Sequence, residues 1–108
     1  MDKQDLEKYL HIDVYENDFS DFDQVMNDYR VGLTEDDIII IYADYTYECY
    51  TGSSDVYFYD KRDNQFYEVH GGHCSCYGLE DQWEPELIGD LDFFIEYVMK
   101  QGLERLLK

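Results

Sequence analysis

The chain has 108 residues, with 26 acids against 8 bases and a formal charge of −18. That field argues against direct binding of nucleic acid or of an anionic membrane surface, and it attracts cationic proteins and metal ions. The length fits one domain, residues 1–108, and 44% apolar with 18% aromatic content separates the chain from disordered acidic tails.

The acids are crowded as well as numerous. Between Tyr9 and Asp60 the only Lys or Arg is Arg30, and from Asp63 to Met99 there is none. Residues 1–10 alternate in charge and lack the apolar run of a signal peptide. The longest apolar run, residues 38–43, has the length of a strand and falls far short of a membrane span. Three cysteines, an odd number, fit a reducing compartment better than a disulfide scaffold. The expectation is a soluble cytoplasmic protein.

In chain order, residues 2–10 read as a short helix with Leu6, Tyr9 and Leu10 on one side. Ser20 suits the N-cap of a second helix, with Asp23 at the capping-box position. Phe22, Val25, Met26 and Tyr29 follow at helical spacing, and Gly32 suits the stop. Residues 38–50 predict the clearest strand. Strict alternation gives it one face of Ile39, Ile41, Ala43, Tyr45, Tyr47 and Cys49, and another of Ile38, Ile40, Tyr42, Asp44, Thr46 and Glu48. A turn at 51–54 leads into a strand at 55–59, and a turn at 60–64 into a strand at 65–69. Gly71 and Gly72 then predict a break, followed by an irregular segment to Pro85. A last helix starts near Pro85, with Leu87, Leu91, Phe94, Ile95, Val98 and Met99 as its stripe. The predicted class is α+β: a small antiparallel three-stranded meander packed by N-terminal helices and a C-terminal helix.

Several strings in the middle of the chain have a counterpart elsewhere. They are Tyr45-Thr46-Tyr47-Glu48 with Tyr50 and Gly52, then Tyr67-Glu68-Val69, then His73-Cys74-Ser75-Cys76-Tyr77-Gly78-Leu79-Glu80 and Gln82-Trp83-Glu84-Pro85-Glu86. On these the chain resembles a group of small proteins of bacteriophages and bacteria that has no assigned activity. The resemblance covers about two-fifths of the chain, and the first 36 residues lie outside it. It implies a phage or mobile-element origin and no reaction. By analogy with small acidic phage proteins, it raises the expectation of an inhibitor of host defence.

Two constellations carry chemistry. The first is acidic: Asp21, Asp23 and Asp28, then Glu35, Asp36 and Asp37, then Asp44, Glu48, Asp55 and Asp60, interleaved with tyrosines. Duplex DNA carries a charge every ~1.7 Å of its axis. An extended carboxylate surface with aromatic anchors imitates it toward Arg and Lys. The plainer alternative is a solvated face that serves solubility. The second constellation is His70, His73, Cys74 and Cys76, with Cys49 as an alternative, an N₂S₂ set of the kind zinc takes in tetrahedral sites. Its plainer alternative is a pair of small buried cysteines and a His73 that bonds a loop carbonyl.

A nucleophile needs a base, and Cys74 with His73 or His70 is the obvious pair. Nearby carboxylates raise a thiol's pKa, so no enzyme is expected. The expected function is binding alone: an anti-CRISPR or anti-restriction type of inhibitor whose acidic, nucleic-acid-mimicking surface blocks a positively charged nucleic-acid-binding host protein. A small zinc-binding module is the alternative.

Overall fold

Residues 38–43 read Ile-Ile-Ile-Ile-Tyr-Ala, and every one of them is buried. A strand with apolar side chains on both faces has to be covered on both. The computed structural model, which describes residues 1–75 and 77–108, shows how this is done. The strands are β1 (Val14–Asn17), β2 (Ile38–Glu48), β3 (Thr51–Asp60), β4 (Gln65–Cys74) and β5 (Glu86–Gly89). They form one sheet in the order β1-β2-β3-β4-β5. β1 runs parallel to β2, and the other neighbours are antiparallel. The helices are α1 (Lys3–Glu7), α2 (Phe22–Tyr29) and α3 (Leu91–Lys100), followed by a 3-10 turn at Glu104–Leu106.

The three-stranded meander is therefore corrected to a five-stranded mixed sheet with helices on both faces. On one face Phe22, Val25, Met26 and Tyr29 of α2, with Phe19 and Leu79, pack on Ile38, Ile40, Ala43, Val56, Phe58 and Val69. On the other, Leu6 and Leu10, Phe94 and Val98 of α3, and Leu106 pack on Ile39, Ile41, Tyr42, Tyr57, Tyr59 and Phe66. Strict alternation along β2 fails at one point. The register with β3 shifts between Ile40 and Tyr42, so Ile41 and Tyr42 share a face and every later residue of β2 changes sides. Ala43 and Tyr45 consequently join Ile38 and Ile40 on the α2 side.

Each local departure from the predicted elements has a physical cause. β1 is only four residues long and is held by pairing with β2, which a search for periodicity does not detect. β5 falls where a helix start was expected. Glu86 pairs with Glu68 and Leu87 with Tyr67, and the helix begins only after its N-cap, Asp90, whose side chain accepts from Phe93 N at 3.0 Å. Likewise Asp21, rather than Ser20, caps α2 and accepts from Gln24 N at 2.8 Å, while Ser20 bonds the Gln24 side chain. The stop assigned to Gly32 is made at Arg30, in the left-handed conformation (φ 57°, ψ 49°). The β2–β3 turn is Cys49-Tyr50, both at positive φ, the requirement of a tight two-residue hairpin.

Gly71 and Gly72 do not break β4, which continues to Cys74. Gly71 is needed for close approach. A Cβ there would lie 2.8 Å from Leu79 Cδ2 and 2.9 Å from Tyr29 Oη, and that hydroxyl donates a buried hydrogen bond to Ser54 Oγ at 2.8 Å. Gly71→Ala is therefore expected to lower the unfolding free energy by about 1–3 kcal/mol. Gly32→Ala, where a Cβ meets nothing within 4 Å, should stay within about 0.5 kcal/mol. Urea unfolding of the two variants measures the difference.

Candidate functional site: a carboxylate row

The bulge in β2 and the registers of its neighbours bring four ionisable residues into line across the sheet. Glu16 of β1 lies beside Asp44 of β2, Asp44 beside Asp55 of β3, and Asp55 beside His70 of β4. All four stand on the α3 side, two residues along their strands from Val14, Tyr42, Tyr57 and Glu68. Like charges directly opposite each other destabilise a sheet, so the row needs local compensation.

Each carboxylate has it. Arg105 donates to both oxygens of Glu16, at 2.9 and 3.0 Å, with its guanidinium 5.4 Å from the centre of the Tyr42 ring. Asn17 Nδ2 donates to Asp44 at 2.6 Å. His70 Nδ1 lies 2.5 Å from Asp55 Oδ1, and its Nε2 meets Glu68 Oε1. Glu68 is buried and accepts the Tyr97 hydroxyl at 2.9 Å. Both ring nitrogens of His70 thus face carboxylate oxygens, an arrangement satisfied when both carry hydrogen. Desolvation pulls the imidazole pKa down, but the bonds to Glu68 and Asp55 and their charges outweigh it and hold the value above the ordinary 6.5. Beyond the row, toward the β2–β3 turn, Thr46, Ser53 and Gly72 lie side by side. Ser53 and Gly72 are exposed.

The ten acids singled out in the sequence do not share one face. Asp21, Asp23 and Asp28 belong to α2, across the sheet from Asp44 and Asp55. Asp21 is engaged as a cap, and burial raises the Asp28 carboxyl pKa. Glu35 and Asp36 are exposed, while Asp37 accepts from Thr34 N at 2.9 Å. Glu48 is exposed at the end of β2. Asp60 is 7% exposed and held by Arg62 at 2.8 and 2.9 Å, so it serves the fold. Glu16 of the row, and its supports Glu68 and Arg105, do not stand out singly in the sequence. Glu68 and His70, two apart on a strand, share a face and were legible as a pair, whereas Arg105 meets Glu16 across 89 positions of sequence.

The structure separates the histidines of the suggested zinc set. His70 and His73, three apart on β4, point to opposite faces. His73 stacks on Tyr47 with ring centroids 5.3 Å apart. Its Nδ1 lies 2.7 Å from the Cys74 carbonyl and its Nε2 2.5 Å from the Tyr45 hydroxyl. Cys74 and Cys49 are exposed, so burial of Cys74 as a small hydrophobe is also corrected. Cys76 lies outside the described residues. Among the described residues no group of three His, Cys, Asp or Glu side chains is arranged to hold a metal ion. For the nucleophile reading, His73 has its ring nitrogens engaged as above, and His70 lies four residues up the strand from Cys74, about 13 Å away.

No family model, no curated protein and no solved structure matches the chain. No helix among the described residues is long and apolar enough to cross a membrane.

The raised folded pKa of His70 fixes the sign of a pH effect. Its contribution to stability is fully present below the unfolded value of 6.5 and is lost as pH rises through the higher folded value. Thermal midpoints taken from about pH 6 to about pH 9 should fall for the wild type and fall less for His70→Gln. Parallel curves would mean that the imidazole is not held by Asp55 and Glu68.

Proposed function

We propose that this chain is a binding protein, not a catalyst, and that its carboxylate surface occupies a cationic site on a nucleic-acid-handling protein. One observation carries the reading. Apart from Arg30 at the end of α2, the bases are engaged internally or confined to the termini and the β3–β4 turn, while many acids remain outward and in no ion pair among the described residues. Lys3 pairs with Asp13, Arg62 with Asp60, Lys100 with Glu96 and Arg105 with Glu16. Asp23, Glu35, Asp36 and Glu48 are exposed and take part in no such pair. Carboxylates of this kind accept charge-assisted bonds from Arg and Lys of a partner. Because they lie on both sides of the sheet, the surface wraps around the molecule rather than presenting one flat strip. The resemblance to phage proteins supports an anti-defence setting, with a CRISPR effector or restriction enzyme as the class of target.

Placement of the acids selects the variants. Asp21 and Asp37 serve the backbone, so reversing them would disturb the fold, whereas Asp23 and Asp36 have free side chains at the surface. In a tagged pull-down from nuclease-treated bacterial lysate, a basic nucleic-acid-binding protein should be retained at low salt and released at high salt. The double variant Asp23→Lys/Asp36→Lys should reduce retention by about tenfold or more with at most a small drop in thermal midpoint, since Asp23 lies in the first turn of α2. Retention that ignores both salt and the double reversal would overturn the reading.

A further inference from the structure

A cleft of about 230 Å³ opens between β5 and α3, at the edge of the sheet. α3 turns Phe94 and Val98 into the core, and its residues Phe93, Glu96, Tyr97 and Lys100 form a second stripe that lines the cleft with Leu87 and Ile88. The floor is the buried carboxylate of Glu68, whose Oε1 accepts the Tyr97 hydroxyl. The walls are apolar and open. Phe93 is 64% and Leu87 63% exposed, more than any other large hydrophobic side chain except Tyr50 among the described residues. Leaving such apolar surface in water forgoes the stabilisation that its burial would bring. Glu68 Oε1 also meets His70 Nε2 from the sheet side, and the rim carries the exposed pair Lys100–Glu96 at 3.5 Å.

We propose that this cleft is an anchor pocket for an arginine side chain of a protein partner. The assignment deepens the function proposed above and rests on it. An arginine stem fits apolar walls, its planar guanidinium stacks on aromatic rings, and the head finds carboxylates at the floor and rim. Phe93 and Tyr97 supply the rings, Glu68 and Glu96 the carboxylates. Charge complementarity favours such a cationic occupant over a second copy of this chain, because each copy carries −18. Lys100 then acts as an internal stand-in, holding Glu96 until a guanidinium displaces it.

The test is an NMR titration of the full chain with a blocked pentapeptide in which valines flank one arginine, beside the same peptide with citrulline. The expected result is saturating shifts of the amides of residues 86–89 and 93–100, with the citrulline peptide about tenfold weaker. Phe93→Ser and Glu96→Gln should each weaken binding by about three- to tenfold, Lys100→Gln should tighten it, and Thr51→Ser at the far end of the sheet should leave it unchanged. That control avoids the carboxylates of the binding surface, and thermal midpoints of the variants check that the fold is intact. Shifts spread over the acidic surface, equal binding of the citrulline peptide, or no effect of Lys100→Gln would overturn the pocket. Sedimentation that shows a dimer lost in Phe93→Ser would overturn it in favour of self-association. The two proposals fail separately. Salt-sensitive capture of a basic protein that ignores Phe93→Ser removes the pocket and leaves the acidic surface, while peptide binding without such capture does the reverse.

Discussion

The shift of register between Ile40 and Tyr42 decides which residues of β2 belong to which layer. Before it, Ile38 and Ile40 face α2 while Ile39 faces α3. After it, strict alternation would have sent Tyr45 and Tyr47 to the α3 side and Asp44 to the α2 side. The extra residue exchanges them. Tyr45 packs on Phe19 and meets His73, while Asp44 stands between Glu16 and Asp55. The aromatic end of one face and the carboxylate row of the other thus share one cause. A shift of one residue moves every later side chain to the opposite face.

The two layers also explain why five strands are needed. A run buried at six successive positions has no solvent side, so β2 must sit inside the sheet with a neighbour on each edge. β3 supplies one neighbour through the tight hairpin. The other, β1, arrives in parallel, and the parallel connection requires a crossover, which α2 provides while covering its own face. With α2 on that face, the opposite one falls to α1, α3 and the 3-10 turn. The chain termini close this second layer, where His11 N donates to the Leu106 carbonyl at 2.7 Å and Lys108 N to the Tyr9 carbonyl at 3.0 Å.

Much of this was readable from residue pattern, and the failures share a character. The apolar positions of α2, the strands at the centre and the buried Leu6 and Leu10 follow from periodicity, which reports local geometry. Both edge strands were missed because pairing, not pattern, makes them strands. Glu86-Leu87-Ile88-Gly89 satisfies a helical stripe as well as it satisfies β5, and contact with Phe66, Tyr67 and Glu68 settles the matter. Gly71 and Gly72 read as punctuation because the close approach of Tyr29 and Leu79 is invisible until the layers are assembled. The same holds for the site. Asp44 and Asp55 stand out as acids on strands, but their neighbours Glu16 and Arg105 come from sequence positions far away. The two histidines of the suggested zinc set are parted for the opposite reason. Proximity in sequence on a strand places His70 and His73 back to back.

How the fold tolerates so much negative charge follows from distances. Two carboxylates about 10 Å apart in water repel by about 0.4 kcal/mol, and physiological salt screens much of that beyond about 8 Å. Neighbours on adjacent strands, about 5 Å apart, repel about twice as strongly before screening and lie inside the screening length. Each long-range pair is thus a mild burden, and the cross-strand row is where like charges stand closest. It is there that the fold places Arg105, Asn17 and His70. The remaining acids sit at helix starts, where Asp21 and Asp90 satisfy backbone amides, or on exposed loops and strand ends where water solvates them. Internal counter-charge is therefore placed along the row and at a few surface pairs, and none reaches Asp23, Glu35, Asp36 or Glu48 among the described residues. Under the proposed function, those carboxylates keep their full attraction for a cationic partner, and the compensated row would contribute only to the extent that a partner competes with Arg105 and His70.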